Sequence, residues 1–392
     1  MSFIKLYLAP GKEHSLKRFH PWVFSGAIKN ADGDPTEGDV VEVYSNKHEF
    51  LGMGHAAPGS IAVRIFSFEQ VEPDYHFWKS KVQKAYDYRS RLGLTQNPQT
   101  NVYRLIYAEG DGVPGLIVDV YKDTAVIQTH SLGMYSVREH ISKALQEIYG
   151  DTLVAVYDKS AESLPANTGA VNGYLFGESK GGVIATENET QFFVDWESGQ
   201  KTGFFIDQRE NRELLAHYVK GKSVLNTFCY TGGFSVYALN AGASLVHSVD
   251  VSKKAIELTI KNAELSQAPE RHEAYAIDTF EFLKGKENMY DVIVLDPPAF
   301  AKSQKVRHNA LMGYKRLNAE AMKKIKPGGI LFTFSCSQVV DKYLFNSTVM
   351  AAAIEAGRNI KIMHHLSQPA DHPISIFHPE GEYLKGLVLM VE

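Results

Sequence analysis

The sequence predicts a multidomain α/β protein, and three observations support this prediction. The chain has 392 residues, and the usual domain size favours two or three domains at that length. Short strand-like runs fill residues 1–72, and helices alternate regularly with strands from Ser223 onward. We therefore expect a small β-domain over 1–72, a central α+β domain over 73–190 and a mainly parallel α/β domain over 191–392.

Composition indicates a soluble globular protein, because 44% of the residues are hydrophobic and 22% are charged. The net charge of -4 means that any nucleic-acid binding needs a local basic patch. Two cysteines, Cys229 and Cys336, are too few for a disulfide scaffold and fit a reducing cytosol. We find no zinc-type spacing, signal peptide or membrane-spanning run, so we expect no metal, no membrane contact and a cytoplasmic location.

The first segment contains strand-like runs with Gly and Pro between them, which suggests a small β-barrel or sandwich. The runs are FIKLYL, PWVFSGAI, DVVEVYS, EFLGMGHA and IAVRIFSF. Its beginning is basic and aromatic against one acid, Glu13: Lys5, Lys12, Lys17, Arg18, His20 and Trp22. Such a cluster is either a solvated face or a contact with RNA, since basic groups attract phosphate and flat rings stack on bases.

The central segment begins with a helical pattern from Tyr75 to Leu92, whose polar face is almost entirely Lys and Arg. Strand-like runs and one clear helix, Tyr135 to Tyr149, follow. No catalytic constellation appears there. We interpret this segment as an α+β module that spaces or shapes a binding cleft.

The stretch from Ser223 to Ser252 predicts a strand, a glycine turn, a helix and a second strand. Gly232 and Gly233 form the turn, and the acidic Asp250 ends the second strand. Glycines let a ligand approach the backbone, and an acidic residue at this distance suits a ribose hydroxyl. The pattern indicates a nucleoside pocket, although an ordinary tight strand-to-helix turn gives the same residues.

Beyond Asp250 the alternation continues and implies a mainly parallel sheet with helices on both faces. We expect helices over 252–265, 280–283 and 313–325, a turn at KPGG, and an antiparallel pair of strands within 361–391. Four strands end in polar residues, namely Asp250, Asp278, Asp296 and Cys336. Each has an ordinary explanation, since Asp caps helices and Cys is often buried, but together they outline one cleft edge.

Asp296-Pro297-Pro298 is the most specific of these strand ends. Two prolines in succession force the chain out of the sheet and leave the carboxylate facing the cleft, where it could hold a base edge. The plain alternative is a strand terminator.

The motif series KTGFFIDQR, FCYTGGF, SVDVS, AIDTFEF, LDPPAF and FSCSQ resembles that of class I S-adenosylmethionine-dependent methyltransferases. With HPWVFSGAI and ADHPISIFHPEGEYLKG, the whole chain resembles the bacterial 23S ribosomal RNA large-subunit methyltransferase I family. This resemblance implies a PUA-like RNA-binding barrel, a central α+β domain and a Rossmann-like methyltransferase domain that forms 5-methylcytosine in RNA. A homodimer is also compatible with this expectation.

Residue by residue, the resemblance implies a cofactor site. Phe228, Tyr230, Gly232 and Gly233 would hold the methionine part, Asp250 the ribose and Asp278 the adenine. Gln208 and Arg209 would contribute from the strand before the fold, Ser252 would also bind the cofactor, and Asp296 would face both cofactor and base. Lys12, Lys17, Arg18, His20 and Trp22 would contact RNA.

Cys336 would be the nucleophile. Cytosine carbon 5 is a poor nucleophile until a thiolate adds to carbon 6, so the chemistry needs a thiolate at this place. Cys229 is read as packing. Related RNA cytosine-5 enzymes place a second cysteine where this chain has Pro298, which leaves the proton-removing group open between Asp296 and a water.

Three other functions are weighed. A methyltransferase acting on an exocyclic amine also uses an Asp-Pro-Pro-aromatic loop, although here the aromatic residue is displaced to Phe300. A non-catalytic RNA-binding protein could retain the same fold. A nicotinamide dehydrogenase is disfavoured, since the three-glycine fingerprint is missing.

Overall fold

The computed structural model describes residues 3–179, 181–301 and 303–392. Its N-terminal part forms a six-stranded sheet in the order β2-β6-β5-β4-β1-β3, with β1 parallel to β4 and the other pairs antiparallel. The elements are β1 (Ile4–Leu8), α1 (His14–Lys17), β2 (Trp22–Phe24), β3 (Ile28–Ala31), β4 (Val40–Tyr44), β5 (Phe50–Ala56) and β6 (Ile61–Ser67). The run PWVFSGAI was expected to be one strand. A short helical turn, Ser25–Ala27, divides it into β2 and β3, which lie at opposite edges of the sheet.

The central part is built on a five-stranded sheet in the order β11-β10-β9-β8-β7. Its elements are α2 (Tyr75–Arg91), β7 (Val102–Tyr107), β8 (Leu116–Tyr121), β9 (Thr124–Thr129), α3 (Leu132–Ser136), α4 (Arg138–Tyr149), β10 (Ala155–Asp158) and β11 (Gly173–Phe176). Asp74 begins α2 as its cap by accepting the Phe77 N–H at 2.9 Å. The helix expected from Tyr135 to Tyr149 is two helices, α3 and α4, which meet at Val137.

A two-stranded ladder, β12 (Val183–Glu187) and β13 (Thr190–Val194), precedes a seven-stranded sheet in the order β16-β15-β14-β17-β18-β20-β19. The remaining elements are α5 (Arg209–Ala216), β14 (Ser223–Thr227), α6 (Gly233–Asn240), β15 (Leu245–Asp250), α7 (Lys253–Ala263), β16 (His272–Ala276), α8 (Thr279–Leu283), β17 (Tyr290–Leu295), α9 (Arg307–Lys324), β18 (Ile325–Ser335), α10 (Lys342–Ala356), β19 (Ile360–Ser367) and β20 (Lys385–Val391). Strands β14 to β18 are parallel, whereas β20 runs antiparallel to both of its neighbours. The predicted Rossmann-like sheet with an antiparallel edge pair is confirmed.

Alternate residues of the central strands face two separate cores, as the two-residue period of a strand requires. Leu225 and Ile293 pack with α9 and α10 on one face. Val224 and Val292 pack with α5 and α6 on the other. Helices therefore cover both faces of the sheet, and its carboxyl edge is left to loops.

Two further local predictions were wrong, and one helix was missed. Helix α9 begins at Arg307 rather than Gly313. The expected turn KPGG is part of β18, which carries a register irregularity against β17 there. Helix α10 was not predicted. Asp341 caps it by accepting the Leu344 N–H at 2.8 Å, and Gly357 ends it in the left-handed conformation.

The described residues fall into two compact units. One contains the chain up to Ala185 together with Val194–Phe204 and Ala370–Gly381, and the other contains Thr186–Phe193, Phe205–Pro369 and Glu382–Glu392. The division into domains at 1–72, 73–190 and 191–392 stays a prediction. Within the described ranges, no helix combines the length and apolarity needed to cross a membrane.

Candidate functional site

Polar or glycine-rich segments follow five neighbouring strands at the same edge of the seven-stranded sheet. Because β16, β15, β14, β17 and β18 are adjacent and parallel, their carboxyl ends share that edge. In this order the strands lead to Asp278, Asp250, the loop 228–233, Asp296 and Cys336. The structure thus brings together the strand-end residues that the sequence singled out.

The loop after β14 has an unusual backbone. Phe228 and Tyr230 have positive φ values of 54° and 47°, a conformation that non-glycine residues rarely adopt. Gly232, with φ 78°, precedes α6, and its N–H donates to the Cys229 carbonyl at 2.8 Å. A Cβ on Gly232 would lie 2.8 Å from Thr259 Cγ2, so this position requires glycine.

Asp250 joins this loop to the end of β15. Its Oδ2 accepts the N–H of Tyr230 at 3.1 Å, and its Oδ1 accepts the N–H of Ser252 at 2.9 Å. The Ser252 hydroxyl caps α7 by accepting the Ala255 N–H at 3.3 Å. The carboxylate therefore orders the glycine loop while remaining half-buried at the sheet edge.

Asp278 is exposed and caps α8, since its Oδ1 accepts the N–H groups of Phe280 and Glu281 at 2.9 and 3.2 Å. The ordinary explanation for this residue is therefore present in the structure. The second carboxylate oxygen, Oδ2, takes no part in the cap. Asp278 can serve a ligand only through that oxygen without breaking the helix start.

Gln208 and Arg209 do not lie on a strand, so their predicted location was wrong. A short helical turn, Ile206–Gln208, runs directly into α5, which begins at Arg209. Both side chains are buried, and Gln208 Oε1 accepts from Asn211 Nδ2 at 2.6 Å. The spacing of polar residues in this segment suits a helix start, which places these side chains on its first turn.

Arg212 fixes the segment around α5. Its guanidinium makes two parallel hydrogen bonds to Glu187, at 2.8 and 2.7 Å, and donates to the Phe205 carbonyl at 2.9 Å. Both charged groups are buried, and a Cβ on Gly233 would lie 3.0 Å from Arg212 Cδ. The ion pair thus packs directly against the start of α6.

The loops after β17 and β18 are held together. Cys336 Sγ lies 4.0 Å from the Pro297 carbonyl oxygen, and the Ser337 hydroxyl donates to the Ala301 carbonyl at 2.6 Å. Cys336 is therefore beside the Asp296-Pro-Pro loop, as the strand order predicts. Cys336 is half-buried, in contrast to the buried Cys229.

The two cysteines differ in their surroundings. Cys229 is 6% exposed, and burial raises the pKa of its thiol to about 12. Such a thiol stays protonated at neutral pH and is a poor nucleophile. This supports the interpretation of Cys229 as a packing residue.

Sequence reasoning missed two residues near Cys336. Tyr314 of α9 is fully buried, and burial together with the charges of Cys336 and Asp296 raises the pKa of its hydroxyl to about 12. Its ring packs on Phe300 at 4.6 Å. Lys385, the first residue of β20, is 5% exposed and lies opposite Ser335. The antiparallel last strand was the signal that could have placed Lys385 at this edge.

The basic cluster in the N-terminal unit divides into two groups. Lys12, Lys17 and Arg18 are exposed, and Lys12 lines a cavity of about 300 Å³ with Val23 and Phe24. Lys17 pairs with Glu49 at 2.8 Å. Trp22, by contrast, donates from Nε1 to Glu109 at 2.8 Å, so its edge is used within the unit.

His20, His378 and Glu380 place ligand-type atoms within 4.8 Å of one another. His20 Nδ1 accepts the N–H of Trp22 at 3.2 Å, which puts the proton of the neutral ring on Nε2. That Nε2 lies 3.4 Å from Glu380 Oε1 and acts as a donor to it. A metal needs a bare nitrogen at Nε2, so the hydrogen bonding favours a histidine–carboxylate cluster over a metal site.

Two protein families match this chain. Residues 6–68 match the PUA-like domain family. Residues 166–376 match a family described as S-adenosylmethionine-dependent methyltransferase.

Curated relatives match over nearly the full length. A ribosomal RNA large subunit methyltransferase I from Aeromonas hydrophila is 40% identical and is covered over 98% of each chain. The protein of the same name from Shewanella frigidimarina is 42% identical over 99% of each chain. A solved structure of SMU.776, a methyltransferase complexed with SAH, has the same fold, with a TM-score of 0.85 and 24% identity over 99% of this chain and 100% of that chain.

Proposed function

Because this chain belongs to the ribosomal RNA large subunit methyltransferase I family, we propose that it methylates carbon 5 of a cytosine in large-subunit ribosomal RNA. It is an S-adenosylmethionine-dependent ribosomal RNA methyltransferase with a PUA-like domain, so the predicted fold and cofactor are confirmed. The methylated atom and the use of Cys336 as nucleophile are the proposed part.

The observation that carries the proposal is the position of Cys336 beside the Asp296-Pro-Pro loop, with Sγ 4.0 Å from the Pro297 carbonyl. In our proposal the Cys336 thiolate adds to carbon 6 of the base and forms a carbon–sulfur bond. The displaced electron pair makes carbon 5 a nucleophile, which would take the methyl group as the sulfonium carbon–sulfur bond breaks and the sulfur leaves as a neutral thioether. A base, Asp296 or a water, would then take the carbon-5 proton, and the electron pair of that C–H bond expels the thiolate and restores the ring.

Bound S-adenosylmethionine supplies the electrophilic methyl group. We propose that the glycine loop and the acidic strand ends hold it, together with the start of α5 and the cap of α7: Phe228, Tyr230, Gly232, Gly233, Asp250, Asp278, Asp296, Gln208, Arg209 and Ser252. Support comes from the strained backbone at Phe228 and Tyr230 and from the Asp250 bonds that order it, since preformed irregular loops are typical of ligand sites. Asp296 would in addition face the target base.

We also propose that RNA contacts the basic start of the chain through Lys12, Lys17, Arg18, His20 and Trp22. The exposure of Lys12 and Arg18 supports a phosphate contact. Lys17 is also exposed, and its bond to Glu49 uses one of the three donor positions of the ammonium group. His20 and Trp22 would contribute ring surface, because their polar edges already bond Glu380 and Glu109.

Methylation of an exocyclic amine is the alternative function, because enzymes of that type also carry an Asp-Pro-Pro-aromatic loop. In this chain the aromatic residue is displaced to Phe300. Here the Phe300 ring packs on buried Tyr314 at 4.6 Å. A base cannot stack on that face of Phe300 without displacing the tyrosine.

The test is a trapping assay with tritiated S-adenosylmethionine and ribosomal RNA transcripts that carry 5-fluorocytosine. The wild-type enzyme should form a covalent protein–RNA adduct, since fluorine at carbon 5 blocks the elimination. Cys336→Ala should form none, and Cys229→Ala should trap RNA like the wild type. Methyl transfer by Cys336→Ala to unsubstituted RNA, without any adduct in the wild type, would refute the proposal.

A further inference from the structure

Lys385 is a buried cation at the active-site edge that the proposed reaction does not yet use. It is 5% exposed and is the first residue of β20. Because β20 runs antiparallel to β18, its first residue lies at the carboxyl edge, opposite Ser335. Cys336 is the next residue after Ser335. The topology therefore places the backbone of Lys385 opposite the residue that precedes the proposed nucleophile.

The side-chain amine of Lys385 also contacts the segment that contains Cys336. Lys385 Nζ donates to the Ser337 carbonyl at 2.7 Å and to the Tyr383 carbonyl at 2.6 Å. Its strand partner and one of its two acceptors thus flank Cys336 on both sides. These bonds use two of the three donor positions of an ammonium group.

Burying an ammonium group is costly unless an anion compensates for it. In the part of the chain that the structure describes, Lys385 forms no ion pair with a carboxylate, and its hydrogen bonds go to neutral carbonyls. Burial accordingly lowers the pKa of Lys385 to about 8, while the charge of Cys336 acts in the opposite direction.

The other charged groups near Lys385 are few. Glu382 and Asp341 raise its pKa and Lys342 lowers it, and Glu382 is itself paired with Lys342 at 2.5 Å. Tyr314 and Asp296 lie near Cys336 from α9 and from the loop after β17. None of these groups is an ion-pair partner of Lys385, whereas a thiolate at Cys336 would supply the missing negative charge.

We propose that the ammonium group of Lys385 is the counter-charge that stabilises the thiolate of Cys336. The thiol S–H bond breaks, and a neutral Lys385 amine takes the proton, so that thiolate and ammonium form together. Where Lys385 is already an ammonium group, the proton goes to solvent and only the thiolate forms. Lys385 is thus a positioning residue for the nucleophile. This inference rests on the proposed role of Cys336, although its test needs neither RNA nor cofactor.

The test is the rate at which iodoacetamide alkylates Cys336 at different pH values, measured by mass spectrometry of the peptide. The midpoint is the pH at which the alkylation rate reaches half of its maximum. In the wild type this midpoint should lie below about 8.5, the pKa of a free cysteine. Lys385→Gln keeps a donor for the carbonyls but removes the charge, and it should raise the midpoint by about one unit. Lys385→Arg should restore the low midpoint.

Lys159 provides a matched control, because it is also buried and also donates from Nζ to two backbone carbonyls, those of Trp196 and Gly199. Lys159→Gln should leave the Cys336 midpoint unchanged. Equal midpoints in wild type, Lys385→Gln and Lys385→Arg would overturn the proposal. If Lys385→Gln fails to fold, a wild-type midpoint above about 8.5 overturns it as well.

The two proposals fail separately. A low midpoint that Lys385→Gln raises supports the charge pair even where Cys336→Ala still methylates RNA, an outcome that refutes only the nucleophile. A trapped adduct, together with a Cys336 midpoint that is the same in the wild type and in Lys385→Gln, refutes only the charge pair.

Discussion

The carboxylate of Asp250 accepts the backbone N–H of Tyr230 at 3.1 Å, and this bond ties the end of β15 to the loop after β14. The same carboxylate accepts the N–H of Ser252 at 2.9 Å. One side chain therefore orders both segments that would surround the cofactor.

Asp250→Ala should weaken binding of S-adenosylhomocysteine roughly 10- to 100-fold, because hydrogen bonds to a charged group contribute about 1.5–3 kcal/mol. Isothermal titration calorimetry measures this directly. Asp74→Ala is the matched control, since it removes a capping aspartate from α2, which belongs to the other compact unit. Equal affinity in wild type and Asp250→Ala would contradict the assigned role.

Gly232→Ala should destabilise the protein more than Gly221→Ala does. Both glycines have positive φ, 78° and 71°, so each alanine incurs a backbone cost of about 1–2 kcal/mol. Only at Gly232 would the new Cβ overlap a neighbour, Thr259, which adds about 1–3 kcal/mol. Urea unfolding gives both values, and calorimetry with S-adenosylhomocysteine should show weakened binding for Gly232→Ala alone. If the two variants lose the same free energy of unfolding, the overlap with Thr259 has no energetic cost and the prediction is wrong.

Asp291→Asn should reveal a pH-dependent contribution to stability. Burial raises the pKa of this carboxyl, but hydrogen bonds from the Ser223 N–H and hydroxyl and from Lys326 lower it to about 2. Because the folded pKa lies below the unfolded value of 3.8, the stabilisation is present above pH 4 and is lost as the pH falls toward 2.

We expect the wild type to exceed Asp291→Asn by about 2 kcal/mol in the free energy of unfolding at pH 7. Urea titrations between pH 7 and pH 2 should show this difference closing. Asp34→Asn, a change at an exposed aspartate, should produce no such difference. If the difference in free energy of unfolding between wild type and Asp291→Asn stays constant down to pH 2, the ionisation of Asp291 does not contribute to stability as predicted.

The sequence was most informative where the fold imposes a simple rule. Asp250, Asp296 and Cys336 were found because parallel strands end at one edge, and the chain order of the strands showed where each one ends. The alternation of helices with strands likewise predicted the parallel sheet with helices on both faces, and the consecutive apolar residues Val224 and Leu225 do serve cores on opposite faces.

Helix α10 escaped prediction for a physical reason. It exposes Tyr343, Met350 and Ile354 at 79%, 60% and 74%, so its apolar residues do not mark one buried face. Only its capping residues, Asp341 and Gly357, indicate this helix in the sequence.

Contacts between distant parts of the chain account for the other omissions. Trp22 bonds Glu109, which lies 87 residues further along the chain. Lys385 reaches Ser337 only through the register of β20 against β18. No local pattern reports either pairing, because both depend on tertiary structure.

The membership of Ala370–Gly381 in the N-terminal unit bears on how the chain folds during its synthesis. Arg89 donates to the Asp371 carbonyl at 2.6 Å, Arg104 N–H donates to the Asp371 carboxylate at 3.0 Å, and Tyr107 donates to the Gly381 carbonyl at 2.8 Å. The N-terminal unit therefore includes a segment, Ala370–Gly381, that is synthesised near the end of the chain. Its final packing cannot form while the ribosome is still translating the middle of the message, and a truncation before residue 370 would leave a buried arginine without one of its acceptors.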